Sequence, residues 1–203
     1  VRQAKSRVHI ARLSSAEGVS LVRVAKAEGL AVTCDVAAHH LHLSEVDLGW
    51  FDTQCRLEPP LRGTRDRAAL RAGLADGTID AVCSDHAPVD DDAKAVPFGE
   101  AEPGATGLEL LLPLTLQWAT ADKVPLATAL AVITVSPARV LGVDAGHLAI
   151  GAAADVCVFD PAAYWRVEPR ALRSQGKNTP FAGLEVPGKV RYTLVGGQVV
   201  HEA

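Results

Sequence analysis

Three short apolar runs, VHIARL (8–13), LAVTCDVA (30–37) and IDAVCSD (79–85), are separated by stretches carrying helix start and stop signals. That alternation leaves few folds open, because strands joined through helices run parallel and need helices to cover them. Ser14 and Glu17 make an S-x-x-E capping box, which predicts a helix through Ala27 that stops at Gly29. Thr64 is an N-cap candidate before RDRAALRAGLADG, with Gly77 just past that helix's end. The third run is apolar throughout, as parallel strands covered on both faces tend to be, and the first also reads as a buried strand. The expected class is therefore α/β, a parallel sheet or barrel.

Downstream, TGLELLLPLTLQWATAD and PLATALAVITVSPARVLGV read as helices, with Pro113 inside the first predicting a kink or an early break. From Gly146 the texture changes to short strands joined by Gly turns, LAIGAAADVCVFDP and GKVRYTLVGGQVVHEA. A boundary near 143–146 then divides the chain into 1–143 and 144–203.

Composition narrows the class of function. With 48% hydrophobic and 22% charged residues, the 203-residue chain is globular. A net charge of −4 and a pI near 6.0 argue against a nucleic-acid partner. No apolar run reaches the ~18 residues of a membrane span. Cys34, Cys55, Cys83 and Cys157 lie far apart without a C-x-x-C pair, so they read as buried thiols of a reducing, cytoplasmic environment. No signal peptide is evident. The chain has no Met and opens almost directly into a strand, which raises the expectation that the natural protein begins upstream.

The chemistry-bearing residues cluster at the ends of the runs. Asp85 closes the third run, where parallel folds place active-site groups, and a carboxylate there can bind a metal or take a proton; it can equally cap a turn. His86 follows directly and faces the other way on a strand, so it reads as a residue that orients a neighbour. His39, His40 and His42 tempt a metal reading, but at most His40 and His42 converge on a strand, and packing is the better account. His9 and Arg12 are three apart, which on a strand sends them to opposite faces. The long acidic loop 89–105 reads as a lid or binding loop, with a disordered surface loop nearly as plausible.

Taken together, RLEPPLRGTRDRAALRAGLADGTIDAVCSDHAPVDDDAK and EPGATGLELLLPL resemble dihydroorotase of the long bacterial type, within the amidohydrolase superfamily. GHLAIGAAADVCVFDP and GKNTPFAGLEVPGKVRYTLVGGQVV are similar to the same family's C-terminal segment. The resemblance implies a zinc-bearing (β/α)8 TIM barrel with a small β-sandwich, acting on the dihydroorotate ring in pyrimidine biosynthesis. It further implies that 1–143 holds barrel strands six to eight and 144–203 the C-terminal part of the sandwich. The early strands, with the H-x-H pair and other ligands, would then lie outside this chain.

Residue by residue, the resemblance places Asp85 on the family's metal-binding, proton-shuttling aspartate. The strand-six H-x-x-H-V-S motif reads His9, Ile10, Ala11, Arg12, Leu13, Ser14 here, so the ligand histidine is replaced by Arg12. The substrate-binding Asn of N-P-P-L-R is Glu58, and the substrate-binding His that ends D-H-A-P-H is Val89. The glycine loop that offers backbone groups to substrate falls on Pro103 and Gly104. His39–His40 match a recurrent motif that is not a ligand position.

These departures share a direction. A hydrolytic metal lowers the pKa of its bound water from 15.7 to about 7, roughly 12 kcal/mol of proton affinity, and a guanidinium in the same place repels a cation. The expectation is a dihydroorotase-like homologue with weakened or lost catalysis and doubtful metal binding, in which Arg12 occupies the vacant ligand position and pairs with Asp85, retained as a scaffold, with aspartate transcarbamoylase as one candidate partner. The alternative is an active cyclic amidohydrolase using one metal, on dihydroorotate or another ring amide or ureide. Either way, three barrel strands alone expose edges and apolar faces, which predicts association with the rest of the barrel or with a copy of itself.

Overall fold

The computed structural model of the chain describes residues 1–203. Strands β1 (Val8–Ile10), β2 (Val32–Ala37) and β3 (Ala81–Cys83) form a parallel sheet in that order. Val8 stands opposite Val32, and Asp35 opposite Ala81. Parallel neighbours need long crossovers; helix α1 (Ala16–Ala27) joins the first pair and α2 (Thr64–Ala75) lies in the second connection. The chain continues through α3 (Asp91–Lys94), α4 (Leu111–Asp122), α5 (Leu126–Ala131) and α6 (Val135–Leu141).

The period of two in β2 sorts its side chains. Val32, Cys34 and Val36 are buried in one cluster with Val19 of α1, Leu70 of α2, and Leu114 and Trp118 of α4. Each such side chain removed from water contributes roughly 1.5–3 kcal/mol. Thr33 and Asp35 are left on the opposite face, and that face carries the chemistry.

A second sheet is antiparallel: β4 (Val156–Arg166), β5 (Glu185–Val195) and β6 (Gln198–Glu202). Gly196 and Gly197, both at positive φ, supply the two-residue turn of the last hairpin. At Gly188, β5 comes so close to α4 that a Cβ would lie 2.5 Å from Leu116 Cδ1. Val167, Phe181 and Val186 share the core cluster of Val36 and Trp118, so the two sheets are built around common apolar contacts. No helix is long and apolar enough to cross a membrane.

Several local expectations are corrected. β1 is not buried: Val8 and Ile10 are 37% and 39% exposed, because a strand paired on one side only leaves its outer flank to solvent. The cap of α1 is Ser15, not Ser14; the Ser15 hydroxyl accepts from Gly18 N at 3.1 Å, and the Asp66 carboxylate takes the free Ala16 N–H at 2.8 Å. Gly63 rather than Thr64 is the N-cap of α2. Pro113 causes no break, since it is the third residue of α4, where its missing N–H has no helical partner to lose. The long reading over 125–143 is two helices interrupted at Thr134, and Pro137 then lies in the first turn of α6, where a proline is tolerated. Of the thiols, Cys34 and Cys55 are buried, but Cys83 is partly open and Cys157 exposed.

Candidate functional site

Beyond the carboxyl ends of β1–β3, charged side chains converge from three strands. Asp85 lies two residues past β3, in the left-handed region at φ 44°. Arg12 lies two residues past β1, also left-handed at φ 57°. For a non-glycine residue that conformation costs roughly 1–2 kcal/mol, and here it turns the guanidinium toward β3. Arg12 Nη1 donates to Asp85 Oδ1 at 3.4 Å and to the Glu58 carbonyl at 3.0 Å.

Asp35 is the hub of the polar face. Its Oδ1 accepts from the Arg12 backbone N–H at 2.7 Å and from Cys83 Sγ at 3.3 Å, and its Oδ2 lies 2.8 Å from His9 Nε2. His9 Nδ1 lies 2.9 Å from Thr33 Oγ1. Strand alternation ends with β1 at Ile10, and past it Arg12 meets Asp35 through its backbone N–H alone while its guanidinium turns to Asp85.

The His39–His40 pair is on a 3₁₀ turn, Ala38–Leu41, and not on a strand. His39 is buried, and its Nε2 lies 3.7 Å from Asp85 Oδ2 without a hydrogen-bond partner. His40 Nε2 lies 3.3 Å from the Pro60 carbonyl, and His42 Nε2 lies 2.8 Å from the Leu114 carbonyl. Burial, reinforced by the positive charges of His40 and Arg12, pushes His39 down to about 3, so it is a neutral imidazole. Burial raises Asp85 above the usual carboxylate range, against the opposing pull of Arg12. Burial and the nearby Asp35 raise the Cys83 thiol as well, so it is not a ready nucleophile.

The remaining sequence-selected residues form the rim. Glu58 enters through its carbonyl, while its side chain is exposed. Val89 is half-buried and donates its backbone N–H to Asn178 Oδ1 at 3.1 Å. Pro103 is exposed and Gly104 buried, with Gly104 N donating to the Arg56 carbonyl at 2.9 Å. His86 does orient a neighbour: its Nδ1 accepts from the Gly107 N–H at 3.1 Å. The loop 89–105 is not a free lid. Lys94 is buried in it and donates to the carbonyls of Thr53, Arg56 and Glu102 at 3.0, 3.2 and 2.7 Å.

What the cluster offers is a partly buried carboxylate beside a guanidinium and a neutral imidazole. No three His, Cys, Asp or Glu side chains of the chain are placed to hold a metal ion together. Three participants went unnoticed in the sequence: Asp35, His39 as a neighbour of Asp85, and Lys94. Asp35 alone carried a signal, as a lone acid within an apolar strand.

The sequence profile of the Amidohydrolase family matches residues 2–201. A dihydroorotase of Geobacter sp. (strain M21) is 44% identical over 196 residues, covering 97% of this chain and 46% of that protein. A dihydroorotase-like protein of Pseudomonas aeruginosa is 44% identical over 202 residues, covering 100% of this chain and 48% of its own length. The chain thus spans about half the length of the curated relatives it matches. Among solved structures, an L-hydantoinase (dihydropyrimidinase) from Arthrobacter aurescens superposes with a TM-score of 0.92 at 29% identity, over 99% of this chain and 46% of that one. A dihydropyrimidinase from Brevibacillus agri shares the fold with a TM-score of 0.92 at 22% identity, over the same shares of the two chains.

Proposed function

This chain belongs to the amidohydrolase family, and we propose that it is the C-terminal half of a dihydroorotase-like cyclic amidohydrolase whose catalysis is weakened or lost. On this reading β1, β2 and β3 are barrel strands six to eight, and the antiparallel sheet is the C-terminal part of a β-sandwich. The remainder of the barrel covers the open edge of β1; a second copy of the chain is the other candidate. The whole protein serves as a scaffold, with aspartate transcarbamoylase as the proposed partner, and the small-molecule site faces a dihydroorotate-like ring.

One observation carries the loss of catalysis: the Arg12 guanidinium stands 3.4 Å from Asp85, at the position where the family resemblance puts a metal-ligand histidine. The zinc of the family does not suit the residues this chain contributes. The Asp85 carboxylate has His39 beside one oxygen, and the fixed positive charge of Arg12 on its other oxygen opposes a cation. The deciding measurement is dihydroorotate turnover by the full-length protein: absence of turnover supports the reading, and sustained turnover overturns it.

A second reading has one observation in its favour. His39 Nε2 is buried, unpaired and 3.7 Å from Asp85, so an unspent ligand or proton partner is in place for an active cyclic amidohydrolase acting on dihydroorotate or another ring amide or ureide. That reading requires a measurable hydrolysis that Asp85→Asn abolishes; a wild type inert across such substrates removes it.

A further inference from the structure

We infer that Asn178, contributed by the C-terminal segment, is the positioning residue that holds together the two backbone walls beside Asp85. This rests on the dihydroorotase-like reading, in which Val89 and Gly104 fall on substrate-binding positions of the family. Asn178 is 3% exposed. Its Oδ1 accepts from Val89 N at 3.1 Å and lies 3.2 Å from Thr106 Oγ1. Its Nδ2 donates to the Ala87 carbonyl at 3.2 Å and the Gly104 carbonyl at 3.0 Å. One amide thus uses both donors and both acceptor sites, and each partner lies on one of two segments, 87–89 or 104–106. A carboxamide is the one small side chain with this inventory.

The backbone around it is closely packed. A Cβ at Gly104 would lie 2.5 Å from the Ala87 carbonyl oxygen, one at Gly107 would lie 2.2 Å from the Ser84 carbonyl oxygen, and one at Gly176 would lie 2.3 Å from Pro88 Cβ. Backbone brought this close has its N–H and C=O groups cut off from water, so each needs a protein partner. The Asn178 backbone carbonyl itself accepts from Thr106 N at 2.7 Å. The spacing between the Val89 wall and the Gly104 wall is therefore set from outside the parallel-sheet segment, by a residue distant in sequence from both. The antiparallel unit completes the site; it is not an appendage to it.

The test uses the full-length protein and three variants: Asn178→Ala, Asn178→Asp, and Leu70→Ala as a destabilised control whose lesion lies in α2. Dihydroorotate is titrated calorimetrically, and amide hydrogen exchange is followed at Val89 and in α1. Both Asn178 variants are expected to bind dihydroorotate at least tenfold more weakly, while Leu70→Ala melts lower and binds as the wild type does. Asn178→Ala is also expected to exchange the Val89 amide at least tenfold faster, with α1 unchanged; Asn178→Asp, which keeps the acceptor, leaves Val89 protected. Unchanged affinity in the Asn178 variants, or an equal loss in Leu70→Ala, overturns the inference. If the wild type binds no dihydroorotate, the ligand reading fails on its own, and the Val89 exchange decides the positioning claim: no acceleration in Asn178→Ala overturns it.

Discussion

Arg12 and Asp85 meet at 3.4 Å from positions 73 residues apart, and both reach the contact through left-handed backbone just past a strand end. The pair joins the open edge strand β1 to β3 across β2. Arg12 is 45% exposed at its side chain and the contact is long, so the ion pair contributes at most about 1 kcal/mol. The hydrogen bond to the Glu58 carbonyl adds about 1 kcal/mol. Arg12→Met is therefore expected to cost about 1–2 kcal/mol in urea unfolding of the full-length protein, with the difference shrinking as salt is raised. A salt-independent loss of ~4 kcal/mol would show that the pair is far better shielded than its exposure allows.

Lys94 is the opposite case, a cation buried without a carboxylate. Its amine donates to three backbone carbonyls, those of Thr53, Arg56 and Glu102. Replacing it with Met keeps the stem but removes all three bonds; the Glu102 carbonyl is left without a donor, while those of Thr53 and Arg56 keep the backbone N–H groups of Arg56 and Gly104. The expected loss is about 1–3 kcal/mol, with proteolytic nicking appearing in 89–105. Cleavage elsewhere with this loop still protected would refute Lys94 as the tie that holds it.

How much of this was legible in the sequence follows from range. The strand–helix order came through because caps, glycine stops and apolar period are local, and Gly29 and Gly77 do sit at positive φ just past their helices. The burial of β1 was misread because an edge strand and a central strand have the same texture; only pairing distinguishes them. Asp85 was visible as a polar residue ending an apolar run. Its pairing with Arg12 was expected from the ligand position that Arg12 takes, and the 3.4 Å contact agrees; His39 was not expected, because it comes to Asp85 on a 3₁₀ turn that strand alternation cannot anticipate. Lys94 and Asn178 read as ordinary loop polars, since nothing local says that three or four long-range backbone groups will converge on them.

The glycines separate backbone strain from steric exclusion. Gly77 sits at φ 79° with nothing within 4 Å of where a Cβ would stand, so Gly77→Ala is expected to cost only the left-handed penalty, about 1 kcal/mol. Gly104, at φ 143°, has the Ala87 carbonyl oxygen 2.5 Å from its own Cβ position. Gly104→Ala must move backbone against backbone and is expected to cost about 3 kcal/mol or more. Thermal unfolding of the two variants checks the ranking; equal losses would mean that the 87–104 contact yields freely.

His42 supplies a pH dependence. Burial, together with Arg71 and Arg67, lowers its pKa from the ordinary 6.5 to about 4, although its contacts with the Leu114 carbonyl and Asp122 pull the other way. The native state therefore keeps His42 neutral in a range where the unfolded chain protonates it. The unfolded state binds more protons between about pH 6.5 and 4, so His42 stabilises the fold fully above that window, and the contribution is lost as pH falls through it. The slope approaches ~1.4 kcal/mol per pH unit, for a total of about 3 kcal/mol. His42→Gln retains an amide N–H for the Leu114 carbonyl but cannot titrate. Urea unfolding at pH 7 and pH 4.5 should show the variant losing about 2–3 kcal/mol less than the wild type on acidification. Parallel losses in the two proteins would place the acid sensitivity elsewhere, with His39 and His40, whose pKa values burial also lowers, as the first groups to replace.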